Sequence, residues 1–149
     1  MNNPIKEIVS FNENANLLND GYNDYLESSF QIEEALEGID TTALAGALGD
    51  PAASPKEISR MLLSMCELSN PVSDVDRLDK ACDAVVFAVG SMAKLGLDPH
   101  QITRSLNVVM KANNTKLNMA RDEHGKLTKP EDFVGPEEEL QEILDERKE

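Results

Sequence analysis

The chain has 149 residues, 40% of them hydrophobic but only 4% aromatic, with no Trp. That length suits one ordinary domain with a core of its own, and the lean aromatic content favours packed helices over a sandwich or barrel. Twenty-eight acidic side chains against 14 basic ones give a formal net charge of −14, which repels nucleic-acid backbones and anionic membranes and excludes both as partners.

In chain order, a helix is predicted from about Pro4 to Leu18 and a second from about Asn23 to Ile39. TTALAGALGDPAA, between Thr41 and Ala53, reads as a short helix plus a loop. Ser54-Pro55-Lys56-Glu57 has capping-box spacing with Pro at the first helical position. Ile58, Met61, Leu62, Met65 and Cys66 then recur at helical period until Asn70-Pro71 breaks the run. Ser73 caps the next helix. Its Val75, Leu78, Cys82, Val85, Val86, Val89 and Met92 form a heptad-like stripe, and Gly96 ends it. Asp98-Pro99-His100-Gln101 opens another, which turns Ile102, Leu106, Val109 and Met110 inward. After Leu117 the chain becomes polar, with Gly125, Pro130, Gly135 and Pro136 as breakers. An irregular arm is expected, then a short helix from about Glu137, whose early acids and late Arg147 and Lys148 suit the helix dipole. Nothing alternates as a strand does. The reading is one all-α domain: an antiparallel helical bundle over about 1–117 and an extended C-terminal arm over about 118–149.

No apolar run approaches the roughly 20 residues that span a membrane, and MNNPIKEIVS carries neither a signal-peptide nor a transit pattern. A cytoplasmic location is expected. Cys66 and Cys82 sit in apolar stretches without metal-ligand spacing and read as small core residues. His100 and His124 stand alone in polar contexts and read as surface histidines.

The carboxylates carry more information. Counting about 100° per residue from Glu33, Leu26 falls at about 20°, Glu37 at about 40°, Phe30 at about 60° and Glu34 at about 100°. Glu33 and Glu37 thus continue the apolar face, where a merely solvated acidic face would lie opposite it. Like charges at i,i+4 destabilise a helix, burial worsens the conflict, and a hard divalent cation resolves it. In SDVDRLDKACDAVVFAVG, Asp76, Asp79 and Asp83 share one side of the wheel. The dipole of the first turn accounts for Asp76. Asp83 enters a segment apolar on nearly every face, where a carboxylate is costly unless paired or metal-bound. KANNTKL adds Asn113, Thr115 and Lys116, donors of the kind that hold phosphate oxygens, although such residues also decorate helix C-termini.

Glu33-Glu34-Ala35-Leu36-Glu37 resembles the EExxE motif of the all-α nucleoside triphosphate pyrophosphohydrolases, which include MazG, phosphoribosyl-ATP pyrophosphatase and the dimeric dUTPases. LDKACDAVVFAVGSMAKLGLD is similar to the segment with their second acidic motif. VMKANNTKL and DEHGKLTKPEDFVGP resemble the phosphate-contacting stretch and the arm of the MazG-like and phosphoribosyl-ATP pyrophosphatase-like branch, especially its phage-type members. The similarity covers roughly Phe11 to Leu140. It departs from the family at Lys80, where the second motif commonly has an acid; the nearest here is Asp79.

The resemblance implies hydrolysis of the α–β phosphate bond of a (d)NTP or related nucleotide, giving the monophosphate and pyrophosphate with Mg²⁺ or Mn²⁺. It implies Glu34, Glu37 and Asp83 as first metal ligands, Asp79 next, and Glu33 as a ligand or as the base that orients water. Asn113 and Lys116 would grip phosphates, Arg121, Lys126 and Lys129 would close from the arm, and Phe133 would cover the base or pack the arm. It also implies a homodimer or homotetramer. A non-catalytic bundle that binds metal or a partner, favoured by Lys80, and a phosphoribosyl-ATP pyrophosphatase remain the alternatives. A di-iron carboxylate bundle lacks its Glu-x-x-His.

Overall fold

Side chains close to their own backbone start most of the helices. In the computed structural model, which describes residues 2–66, 72–123 and 125–147, the elements are α1 (Pro4–Asn14), α2 (Asp24–Leu36), α3 (Thr42–Ala47), α4 (Pro55–Ser64), α5 (Asp74–Lys94), α6 (Pro99–Asn114) and α7 (Glu137–Asp145). Asn3, Asn23 and Ser73 accept from the first-turn amides of α1, α2 and α5. Ser54 with Glu57 and Asp98 with Gln101 close reciprocal capping boxes on α4 and α6, which satisfy orphan donors at each end. Among the described residues there is no strand, only one isolated antiparallel bridge between Arg121 and Leu127. The chain is all-α.

Three helices stop earlier than their periodicity suggests. α1 ends at Asn14, not near Leu18, because Asn16 takes a left-handed conformation at φ 55°, which asparagine tolerates and which closes a helix. α2 ends at Leu36, because Glu37 is already extended (φ −61°, ψ 132°) and Gly38 turns at φ 80°. α4 likewise ends at Ser64, which leaves Met65 and Cys66 exposed. The expected break at Asn70-Pro71, His124 and Lys148 lie outside the described residues.

The chain divides into two compact units, Asp20–Val72 and Met1–Asn19 with Ser73–Glu149. In the smaller unit α2 packs along α4. Ala45, Ala53 and Ile58 are buried at its centre, ringed by Leu36, Leu48, Met61 and Leu62. Ser29 and Ser59 are buried as well, their hydroxyls donating to Leu26 O and Lys56 O, each at 2.8 Å. Small side chains whose polar atoms are satisfied within their own helix cost little to bury.

In the larger unit α6 is central, with α1 and α7 against it. Leu97, Ile102 and Ile143 form the core, joined by Met92, Leu106, Val108 and Leu144. Arg104 pairs with Glu146, and Lys111 with Glu139 at 2.6 Å, both linking α6 to α7. The Arg104 hydrogen bond holds the Glu146 carboxyl below the usual glutamate range.

α5 departs most from expectation. None of its 21 residues is buried. Val75, Leu78, Val85, Val86 and Val89 are all exposed, so the predicted core stripe covers nothing within its own unit except through Met92 at the C-terminal end. Cys66 and Cys82, read as core residues, are both exposed. A periodic apolar stripe reports that a helix has a partner, and not which chain supplies it.

Candidate functional site

The sequence points to three groups of polar residues. On α2, Glu33 is buried at 7% exposure, on the face it shares with Ser29 and the half-buried Leu26 and Phe30. This is the side the helical wheel assigns. Glu34 is exposed. Glu37 lies beyond the helix as its C-cap, its amide donating to Glu33 O at 3.1 Å, and is exposed. The wheel that put Glu37 beside Glu33 assumed one more helical residue than the backbone makes.

On α5, Asp76 belongs to the cap: the Ser73 hydroxyl donates to its carboxylate at 2.6 Å while its amide donates to Ser73 Oγ. Asp79 and Asp83 are exposed. The expectation that Asp83 enters a buried segment is therefore corrected. The flanking Val85, Val86 and Phe87 are themselves 56, 65 and 73% exposed, so a solvated aspartate there carries no burial cost. Among the described residues, no three of His, Cys, Asp and Glu come together in a group that could hold a metal ion. The donor chemistry is nonetheless that of a hard cation, since the set offers only carboxylate oxygens.

The third group comes together around one aromatic ring. Lys116, just past the end of α6, donates to Asn113 Oδ1 at 2.8 Å, and its ammonium stands 4.9 Å from the centroid of Phe133. Lys129 reaches the same ring at 5.0 Å. Each contact is of cation–π type. Phe133 thus packs the arm onto the end of α6 and has an ammonium group from each against its ring, the Lys116 one also bonded to the Asn113 amide. Thr115 instead bonds back to Ala112 O at 2.7 Å.

Arg121 has a structural task. It donates to Ala15 O at 3.0 Å and to Asn16 O at 2.7 Å, taking carbonyls left over where α1 ends. The arm around it is a tight hairpin. Asp122 N–H donates to Lys126 O at 2.8 Å, Thr128 N–H donates to Ala120 O at 2.9 Å, and Gly125 turns at φ 81°. Within that hairpin Lys126 is half-buried.

One feature escaped the sequence reading. A groove of about 300 Å³ between α6 and α7 is lined by Arg104, Asn107, Val108, Lys111, Glu139, Glu142 and Ile143. In its wall the Asn107 amide donates to Asn2 O at 3.2 Å, while its Oδ1 has no partner among the described residues. Asn107 stands alone in SLNVVM, in no motif, so nothing in the sequence marks it.

No family model, curated protein or solved structure matches the chain.

Proposed function

We propose that the chain is a divalent-metal-dependent nucleotide pyrophosphohydrolase, cleaving a (d)NTP or related nucleotide between the α and β phosphates. The observation that carries this reading is the convergence of Lys116 and Lys129 on Phe133, with Asn113 bonded to Lys116. Each ammonium stands within about 5 Å of the Phe133 centroid, and a polyanion is attracted to two cations placed on one side chain in this way. Phosphate is the anion a Lys-and-amide set suits, with lysine acting as a point charge.

The carboxylates supply the other half of the reading. Glu34, Glu37 and Asp83, then Asp79, would hold Mg²⁺ or Mn²⁺. When bound, such an ion neutralises phosphate charge and lowers the pKa of a coordinated water. Glu33 is a ligand or orients the attacking water. Its 7% exposure suits the second role, because a fixed carboxylate in a dry setting makes the stronger acceptor. Lys116, Lys129 and Asn113 bind and orient the triphosphate. Lys126 and Arg121 add positive charge on the arm. Alongside this reading, the fold is an antiparallel bundle, the location cytoplasmic and the assembly a homodimer or homotetramer.

A second reading is a non-catalytic bundle that binds metal or a partner. Lys80, and the position of Glu37 off its helix, favour it. Pyrophosphate release across a panel of nucleotides, with Mg²⁺ and with EDTA, decides between them. The first reading expects metal-dependent release from at least one nucleotide. Silence across the panel, phosphoribosyl-ATP included, leaves the second.

A further inference from the structure

We propose that two adjoining grooves along α6 bind a linear aliphatic polyamine, a chain of methylenes carrying several protonated amines. The inference comes from the larger unit alone and does not rest on the hydrolase reading. The first groove, of about 300 Å³, lies between α6 and α7. The second, of about 390 Å³, lies on the α1 side of α6, with Glu7 and Met110 in its lining. Asn107 and Lys111 line both, so the two meet over α6. Volumes of this order hold one small molecule. From Arg104 to Asn114 the grooves follow α6 for ten residues, about 15 Å at 1.5 Å per residue, which is the reach of an extended tetramine.

The charges name the ligand. Both cations of the lining are committed, Arg104 to Glu146 and Lys111 to Glu139. Glu7, half-buried on α1, and Glu142 on α7 have neither an ion pair nor a side-chain hydrogen bond among the described residues. One uncompensated negative charge therefore stands in each groove. A third acceptor is Asn107 Oδ1, buried in the wall that the grooves share and without a partner among the described residues. Turning the amide over does not help, because its Nδ2 already donates to Asn2 O at 3.2 Å and a flip would set oxygen against oxygen. Buried acceptors are nearly always bonded, so this one calls for an N–H donor.

Between the acceptors the lining is apolar, with Val108 and Ile143 in the first groove and Met110 in the second. Outer ammonium groups on Glu7 and Glu142, an inner amine N–H on Asn107, and methylenes over Val108 and Met110 match this pattern from end to end. A divalent cation does not match it. Such an ion wants a cage of oxygens, and among the described residues no three of His, Cys, Asp and Glu come together in one. An anion meets repulsion from Glu7 and Glu142. The small volumes favour a free amine over a lysine-rich peptide.

Calorimetric titration of the full chain with spermine, at physiological salt, tests this. One molecule should bind per chain, and n-butylamine, with its single charge, should bind far more weakly. Glu7→Gln and Glu142→Gln should each weaken spermine roughly ten-fold, the loss expected for one charge-assisted hydrogen bond, with helical circular dichroism unchanged. Lys111→Gln should tighten binding, because it frees Glu139 and removes a competing cation. Asp83→Ala should bind spermine as the parent does, which separates these grooves from the carboxylates assigned to metal. The proposal is overturned by no binding of spermine, or by binding that neither glutamate variant weakens (diffuse attraction to an acidic chain). It is equally overturned by weaker binding to Lys111→Gln, by loss of binding in Asp83→Ala, or by a decalysine peptide binding where spermine does not.

Discussion

Arg121 donates to the carbonyl of Asn16 at 2.7 Å across 105 residues of chain, and Asn16 is, among the described residues, the non-glycine residue with positive φ, 55°. The left-handed turn that stops α1 exposes carbonyls, and the arm delivers a guanidinium to take them. Arg121 thereby ties the start of the arm to the end of α1 within the larger unit.

Arg121→Ala should consequently lower the stability of that unit. Hydrogen bonds from a charged donor contribute about 1.5–3 kcal/mol, and exposure puts this pair at the low end. Thermal melting followed by circular dichroism reads the loss. An unchanged midpoint together with a raised KM for nucleotide would instead give Arg121 the phosphate-binding role that the family resemblance implies.

Lys116→Ala should weaken nucleotide binding roughly ten-fold or more, from the same charge-assisted range, with a smaller effect on melting. Lys129→Ala should act in the same direction. Phe133→Leu should weaken binding less than either, because it keeps both cations and removes only the ring that gathers them. Calorimetric titration with a non-hydrolysable nucleotide measures all three. Equal affinities across the set would assign these lysines to packing of the arm.

Glu33→Gln separates orientation of water from metal binding. Gln keeps the shape of the buried side chain, so the helical signal should persist while turnover falls by at least a hundred-fold, in the range of general-base contributions. Glu37→Ala and Asp83→Ala should also abolish Mg²⁺-dependent turnover, with little effect on fold because both residues are exposed. Mg²⁺ should raise the melting midpoint of the parent and not of Asp83→Ala. Mass action adds about 2.7 kcal/mol at a hundred-fold excess over Kd. Identical melting of parent and variant in Mg²⁺ and in EDTA would make these acids plain surface.

The caps of the smaller unit predict a pH dependence. Ser54 donates through its hydroxyl, and then through its amide, to Glu57, which holds that carboxyl below the usual range. Thr42 does the same for Asp40, its amide first. A carboxyl whose folded pKa is depressed contributes stability above its unfolded pKa and loses it as pH falls through the folded value. Glu57→Gln should therefore melt below the parent at neutral pH and converge with it in acid, below the ordinary carboxylate range. Ser54→Ala removes the other side of the box and should cost about 1 kcal/mol. A gap between parent and Glu57→Gln that persists unchanged into strong acid would show that the box acts by shape alone.

The helix starts were legible because a cap is a contact between neighbours. Asn3, Asn23, Ser54, Ser73 and Asp98 each meet an amide two or three residues away, and no distant packing is needed to place them. Glu33 was legible for a related reason, since its face is set by helical period and by Leu26 and Phe30 on the same element. Helix ends were less so: one left-handed Asn16 and one extended Glu37 each shorten a helix that periodicity alone would prolong. What the sequence determined by itself is therefore the all-α class, where the helices begin, the apolar stripe of α5 and the residue types offered for metal and phosphate. The tertiary structure alone decided that Cys82 and Asp83 are exposed, that Arg121 serves α1, and that Lys116 and Lys129 share one ring. Burial and long-range contact depend on what packs against an element, and residues a hundred positions apart leave no mark of it in their own neighbourhood.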